Sequence, residues 1–254
     1  MHLVYATYQY FPDSRTNTFQ SISTIKEFIN LGYEVDLIYP DRKKLNHKKN
    51  INDFYSIDEE FNKIKVKHLS KNPYKKNNLY NRFNYLLSHF IYAFKLKKII
   101  SNLIRKDTLI FTRSPFIVYF LRRLNKPIAY EIHQLTKISK FLIKRFMKYS
   151  SNILLIAVSP GIKKILQNIE INHNAIEYLE TGYDEQLFSK IEKTNIYNDN
   201  SKNAIKFIYG GSLNIQGSEK GIKNLIKCFH QVCIENSIDN IYFDIYCSNN
   251  EEEL

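Results

Sequence analysis

The chain has 254 residues, 44% of them hydrophobic and 14% aromatic, a composition that excludes intrinsic disorder and suffices for one large domain or two of ordinary size. Its 37 Lys and Arg against 25 Asp and Glu leave a formal charge of +12, which points to nucleic acid, an anionic membrane surface or phosphorylated substrates unless it only reflects a Lys-, Asn- and Ile-heavy composition. The three cysteines, Cys228, Cys233 and Cys247, have neither C-x-x-C spacing nor a histidine pattern beside them, which argues against a disulfide framework or zinc site and for buried thiols in a reducing compartment.

The first element, "HLVYAT" (residues 2–7), reads as a strand. No basic segment followed by a long apolar core surrounds it, so it is not a signal peptide, and no later apolar run approaches the roughly 20 residues of a spanning helix. The expected location is cytoplasmic, with peripheral attachment at the inner face of the membrane open to it. "TFQSISTIKEFINLG" follows as a helix with Phe19, Ile22, Ile25 and Ile29 on one side and Gly32 as its stop. "YEVDLIYP" is the second strand, a Lys-rich polar excursion covers residues 41–52, and "KIKVKHL" alternates weakly as a third strand. The segment 74–105 reads as helix. "DTLIFTRS" is the next strand, "PFIVYFLRRLN" a helix with Pro115 in its first turn, and "KPIAYEIH" a strand. "LTKISKFLIKRFMKYS" is a helix, "NILLIAVS" a strand, and "PGIKKILQNI" a helix opened by Ser159 and Pro160. "AIEYLETG" closes the run. Apolar strands alternating with amphipathic helices predict an open parallel α/β sheet.

From Ser189 apolar content falls, so residues 190–203 are expected to be a linker between a domain over 1–189 and another over 204–254. Beyond it come a strand into a glycine turn, "AIKFIYGGSL", a helix, "EKGIKNLIKCFHQVCIEN", and a strand, "NIYFDIYCS". In an open parallel sheet the ligand crevice lies beyond the C-terminal strand ends. Four polar turns fall at such ends: "PDSRTNT", "TRSP", "EIHQL" and "GGSLNIQGSEKG". In the third, Glu131 and His133 stand at i and i+2 of a strand and leave the same face.

Several short pieces recur in a familiar order: Phe11-Pro12, Gly32-Tyr33-Glu34-Val35, Thr112-Arg113, Glu131-Ile132-His133 and Ile156-Ala157-Val158-Ser159. They continue with Thr181-Gly182-Tyr183-Asp184 and with Tyr209-Gly210-Gly211-Ser212-Leu213 followed by Glu219-Lys220-Gly221. Through them the chain resembles the group-1, family-four glycosyltransferases of GT-B architecture over residues 1–250. The resemblance implies an α/β fold with a doubly wound parallel Rossmann-like sheet and a partial second Rossmann-like domain. It also implies retaining transfer of a sugar from a nucleotide-diphosphate sugar to a glycan or lipid-linked acceptor in surface polysaccharide biosynthesis. No metal or cofactor beyond the nucleotide-sugar donor is implied, and the acceptor belongs mainly to the first domain, the donor to the second.

Departure of a diphosphate builds negative charge on its oxygens, so fixed donors and cations near the phosphates are the main catalytic need. By the resemblance, Gly210, Gly211, Ser212 and Lys220 form the diphosphate-binding turn. The glycines let backbone approach the phosphates, and Lys220 stands at a helix start that already favours an anion. The plainer reading is a βα turn with a solvated lysine. His133 corresponds to the histidine near the donor sugar, with Glu131 orienting it; a strand-end histidine is otherwise an ordinary structural group. Arg113 is either an acceptor contact or a member of a structural ion pair. Arg15, Thr16 and Asn17 line the acceptor-side loop, where the family commonly has Gly-Gly, and Thr16 or Asn17 as helix caps is the alternative. Ser212 stands where many members carry an Arg.

About fifty residues follow the linker, one βαβ unit, and the family's Glu-x7-Glu element would lie downstream of Leu254. The expectation is a truncated or split enzyme without normal donor affinity by itself. The alternative is a non-catalytic membrane-associated binding or partner module left after loss of the donor domain. From Phe61 to Lys106 there is no Asp or Glu against twelve Lys or Arg. Over residues 71–106 Tyr74, Tyr80, Phe83, Tyr85, Phe90, Tyr92 and Phe94 interleave with those cations. That pattern suits an anionic membrane surface or a crossover helix whose aromatics pack on the sheet. Nucleic acid ranks below both for want of a recognition module.

Overall fold

Seven of the apolar runs pair as one parallel sheet. The computed structural model describes residues 1–41, 50–68, 79–169, 171, 175–182, 205–211, 214–215, 218–219, 221–238 and 240–246, side chains at 79–82, 214–215 and 218–219 excepted. The chain forms two compact units, Met1–Pro73 with Arg82–Gln186 and Tyr74–Asn81 with Leu187–Leu254. The expected linker, 190–203, lies outside the described residues.

In the first unit the strands are β1 (His2–Ala6), β2 (Glu34–Asp41), β3 (Asn62–Lys67), β4 (Thr108–Thr112), β5 (Ile128–Ile132), β6 (Ile153–Ala157) and β7 (Ile176–Tyr178). Their spatial order is β3-β2-β1-β4-β5-β6-β7. Succession runs outward from β1 on one side and from β4 on the other, so the order reverses between them. That reversal makes the switch point of a doubly wound sheet. The helices between the strands are α1 (Thr16–Asn30), α2 (Ile51–Tyr55), α3 (Leu79–Leu103), α4 (Pro115–Leu121), α5 (Lys137–Met147) and α6 (Pro160–Gln167).

Alternate residues of each strand go to opposite faces, and the core divides accordingly. Val4, Ala6, Ile110, Tyr130 and Leu155 pack with Leu96 of α3, Ile117 of α4, Phe146 of α5 and Leu166 of α6. Leu3, Tyr5, Leu37, Phe111 and Ala129 pack with Ile22 and Ile25 of α1 and with Tyr55 of α2. Helices α3 to α6 therefore cover one face and α1 and α2 the other. Strands covered on both sides read as continuous apolar runs, which is why they were legible in the sequence.

The helix boundaries follow from local chemistry. Gly32, at φ +82°, turns the chain out of α1 in the left-handed region that side chains avoid. Ser114 and Ser159 cap α4 and α6, accepting from the amides of Ile117 and Ile162, each ahead of a proline in the first turn. Thr136 and Ser139 form a reciprocal capping box on α5. At the N-terminal strand edge, buried His2 bonds Asp36 Oδ2 at 3.0 Å and Thr108 Oγ1 at 2.9 Å, and Asn62 donates to Asp36 Oδ1 at 2.9 Å. Helix α2 is unanticipated, since the segment to residue 52 reads as a polar excursion; its Tyr55 ring meets Phe19 edge-on at 4.9 Å.

The basic aromatic segment resolves into two sides. Tyr92 is buried under the sheet, whereas Phe83, Phe90 and Phe94 are exposed; Tyr74 and the side chain of Tyr80 lie outside the described residues.

The second unit contains β8 (Ile205–Gly210), a two-residue pair β9 (Asn214–Ile215) and β10 (Ser218–Glu219), α7 (Ile222–Glu235) and β11 (Ile241–Tyr246). β8 and β11 run parallel in register from Ile205 with Ile241 to Gly210 with Tyr246. Phe229 of α7 sits 5.8 Å from Phe207 and 5.3 Å from Phe243. The expectation of buried thiols fails here: Cys228 is exposed and Cys233 half-buried. The reason is periodicity, because only the stripe 222, 226, 229 and 233 of α7 is covered and Cys228 falls off it. Cys247 lies outside the described residues.

Candidate functional site

Strand register brings the site together. Tyr5 of β1 stands beside Phe111 of β4, and Phe111 beside Ala129 of β5. These three belong to the core on the α1 side of the sheet. Two residues further along each strand, period-two alternation puts Arg113 and Glu131 side by side on that same face, past the switch point. Arg113 Nη2 donates to Glu131 Oε1 at 2.9 Å, and both side chains are nearly buried, at 12% and 11% exposure. His133, at 36%, turns its Nε2 onto the same carboxylate oxygen. Burial alone would raise the Glu131 carboxyl. The His133 hydrogen bond and the Arg113 charge outweigh burial and hold it below the ordinary carboxylate range.

Behind the triplet lies a hydroxyl hub. Arg113 Nη1 donates to Ser21 Oγ at 3.2 Å and to the Asn17 carbonyl at 3.3 Å, and Tyr5 donates its hydroxyl to Ser21 Oγ at 2.9 Å. Burial pushes the Tyr5 phenol up to about 12, so it serves this hub as a neutral donor. Ser21 shares its single proton between Gln9 Oε1 at 2.5 Å and the Asn17 carbonyl at 3.0 Å, and Gln9 Nε2 reaches that carbonyl at 2.9 Å. Among the described residues, Arg113 Nε has no hydrogen-bond partner.

The loop after β1 presents Arg15, Thr16 and Asn17 at the surface. Neither Thr16 nor Asn17 caps α1: the cap position is Arg15, without a side-chain cap bond, and Thr16 is already helical. The stabilising contacts come from Thr18, whose hydroxyl reaches the carbonyls of Asp13 and Arg15 at 2.7 Å. In the second unit, a Cβ on Gly210 would meet nothing within 4 Å, so packing does not demand glycine there. Gly211, at φ +151°, does need to be glycine, and its amide is taken by the Tyr246 carbonyl at 2.9 Å. Ser212 and Lys220 lie outside the described residues. Among the described residues no group of His, Cys, Asp and Glu stands close enough to hold a metal ion, and no helix is long and apolar enough to cross a membrane.

No protein-family model and no curated protein matches the chain. Solved structures do. The N-terminal domain of Candida albicans trehalose-6-phosphate phosphatase aligns with 99% of this chain and 65% of its own at 10% identity, TM-score 0.69. An E. coli trehalose-6-phosphate structure bound with UDP-2-fluoro glucose aligns over 100% and 66% at 12% identity, TM-score 0.61. Anabaena Alr3699/HepE in complex with UDP aligns over 96% and 69% at 10% identity, TM-score 0.57. The chain has a GT-B glycosyltransferase-like fold. GT-B-like structure is not confined to one activity, since a UDP-N-acetylglucosamine 2-epimerase from Rickettsia bellii also aligns, over 97% and 62% at 11% identity, TM-score 0.54. The chain spans about two thirds of the length of these structures.

On this GT-B-like sheet, Glu131, His133 and Arg113 are brought together, with Asn17 joining through its backbone carbonyl. Tyr5, Gln9 and Ser21 complete the network without having stood out in the sequence. Their signal was positional only: Tyr5 shares strand parity with Leu3, and Ser21 lies one helical turn after Asn17.

Proposed function

We propose that the chain acts as a glycosyltransferase component that takes a nucleotide-diphosphate sugar as donor and a glycan or lipid-linked acceptor, in surface polysaccharide assembly. The observation that supports it most is His133, held by Glu131, itself paired with Arg113, past the C-terminal end of β5, the side of the sheet on which open α/β sheets take their ligands. With Nε2 engaged by Glu131, Nδ1 is the ring atom left for a ligand. In the neutral ring it accepts a hydroxyl proton, and in the imidazolium it donates to an oxygen. Arg113 is assigned to positioning Glu131, and the exposed Arg15, Thr16 and Asn17 to the acceptor side. In the second unit, Gly210, Gly211, Ser212 and Lys220 are assigned to the diphosphate, Gly211 through its lack of a side chain, since its amide is already bonded.

Saturation-transfer NMR with UDP, UDP-glucose and a panel of other nucleoside-diphosphate sugars tests the reading. Signal is expected on nucleotide and sugar protons. His133→Ala is expected to weaken the sugar contact about tenfold, or about 1.4 kcal/mol, together with the modest fall in thermal midpoint that loss of its bond to Glu131 entails. No signal from any donor, or an unaltered sugar signal in His133→Ala, would overturn it. A non-catalytic binding or partner module is the second reading, favoured by the shared Glu131 oxygen, which also suits a structural knot at a sheet edge. That reading expects His133→Ala to lower the thermal midpoint and leave ligand contacts as they were.

A further inference from the structure

We propose that the first-unit site around Glu131 and Gln9 takes an uncharged, hydroxyl-bearing sugar ring and turns anions away. Two atoms read the ring: Glu131 Oε2 accepts a hydroxyl proton, and the outer Nε2–H of Gln9 donates to a second ring oxygen. Calling that ring the acceptor rests on the transferase reading; the chemistry of the contact does not.

Arg113 looks like an anchor for a phosphate or carboxylate, but its own hydrogen bonds close that role. Nη1 is committed to Ser21 Oγ and the Asn17 carbonyl, Nη2 to Glu131 Oε1, and Nε is sealed from solvent. Glu131 matches its charge: burial works to raise that carboxyl, but the His133 bond and the Arg113 charge win and keep it ionised at neutral pH. Arg113 and His133 both meet one oxygen, Oε1. The other, Oε2, takes no hydrogen bond among the described residues and, unlike Arg113 Nε, is not sealed from solvent. An ionised carboxylate only accepts, so a hydroxyl can approach Oε2, whereas a phosphate or second carboxylate would bring like charges together. Arg15, the exposed cation of the loop after β1, lies 3.5 Å from Asp13, which matches it in turn.

The Gln9 amide has one satisfied orientation. Ser21 Oγ has two lone pairs, and Tyr5 and Arg113 each donate to one, which leaves the hydroxyl proton for an acceptor. Gln9 Oε1 stands 2.5 Å from Ser21 Oγ, and Gln9 Nε2 stands 2.9 Å from the Asn17 carbonyl. Turning the amide over would put a third donor on Ser21 and set oxygen against oxygen at Asn17. Ser21 Oγ and the Asn17 carbonyl are themselves 3.0 Å apart, so both Gln9 bonds leave from one edge of the amide. They use the Nε2 hydrogen beside Oε1. The second hydrogen points away from the hub and meets no acceptor among the described residues. Gln9 is half-buried, so this N–H can reach a ligand.

Saturation-transfer NMR on the full chain tests it, at about 0.15 M NaCl so that a Debye length of about 8 Å screens the net charge of +12. The probes are the methyl glycosides of glucose, galactose and mannose and the matching uronic acids. At least one neutral glycoside is expected to bind, with its uronic acid weaker by about tenfold or more. Glu131→Gln leaves Arg113 unmatched and is expected to reverse that preference, and Gln9→Met is expected to cut the neutral signal about fivefold. The parent supplies a readout that no variant can spoil: the glycoside should shift the outer Nε2 proton of Gln9 more than the inner one. Uronic acids that bind as well as the neutral sugars, silence from every glycoside, an unaltered preference in Glu131→Gln, or an unmoved Gln9 amide overturns the proposal. UDP and UDP-glucose are run alongside. Their silence with the glycoside preference intact counts against the transferase reading alone, and donor signals without that preference count against this inference alone.

Discussion

Glu131→Gln separates an ion pair from simple packing. The substitution keeps the shape of the side chain and removes the charge that Arg113 and His133 share. Breaking a fully buried pair costs about 3–5 kcal/mol; His133 is 36% exposed and solvent relieves part of the loss, so about 2–3 kcal/mol is expected from urea unfolding at pH 7. The pH dependence has a definite sign. Burial works to raise the carboxyl, but the His133 bond and Arg113 charge win and lower it in the folded state. Its contribution is therefore complete above the unfolded value of about 4.3 and is lost as pH falls through the lower folded one. The stability gap between parent and Glu131→Gln should close below about pH 5 as the carboxyl takes up its proton; a gap that persists undiminished at about pH 2 would remove the ion pair from the account. Glu131 and His133 were legible as a pair because strand parity is visible in a sequence. The partnership of Arg113 was not, since it depends on the register between β4 and β5, and Ser21 and Tyr5 look like ordinary core-facing residues until that register is known.

Among the elements, the helix starts give the sharpest comparison. Thr136 and Ser139 exchange bonds at the start of α5, including Ser139 amide to Thr136 Oγ1 at 3.1 Å and Thr136 amide to Ser139 Oγ at 2.7 Å. Ser159 makes one longer bond, 3.3 Å from the Ile162 amide, and Pro160 presets the first turn of α6 without help from it. Thr136→Ala should cost about 1 kcal/mol and Ser159→Ala about half that, read as thermal midpoints lowered by roughly 2–4 °C and 1–2 °C. Equal losses would mean that the proline contributes nothing. The same chemistry explains which elements were readable. Strands buried on both faces announce themselves as apolar runs, and Ser-Pro pairs mark helix starts. Helix α2 has five residues, too few to display a period, and β9 and β10 have two each. The exposure of Cys228 is not readable from composition, which cannot say which side of α7 is covered.

Across the molecule, the charge imbalance of residues 61–169 has an energetic cost of its own. The described side chains of helices α3 to α6 and their strands carry far more Lys and Arg than Asp and Glu, and the mutual repulsion of this layer opposes folding. The repulsion acts over about 30 Å at 0.01 M salt and about 8 Å at 0.15 M. Adding NaCl from about 10 to 200 mM should therefore raise the thermal midpoint. Salt also weakens favourable pairs, but the exposed Arg105–Glu34 pair, with both side chains 51% accessible, belongs to a class worth about 0–1 kcal/mol. The Arg113–Glu131 pair is nearly buried and screened less. Repulsion should win, with a midpoint that climbs with salt and levels off once screening is short. Lys98→Glu with Lys140→Glu should raise the low-salt midpoint and flatten the slope, because both lysines lie on helices of that layer and both changes reverse sign. A midpoint that falls with salt, or a steeper slope in the double variant, would show that the favourable pairs outweigh the crowding of cations.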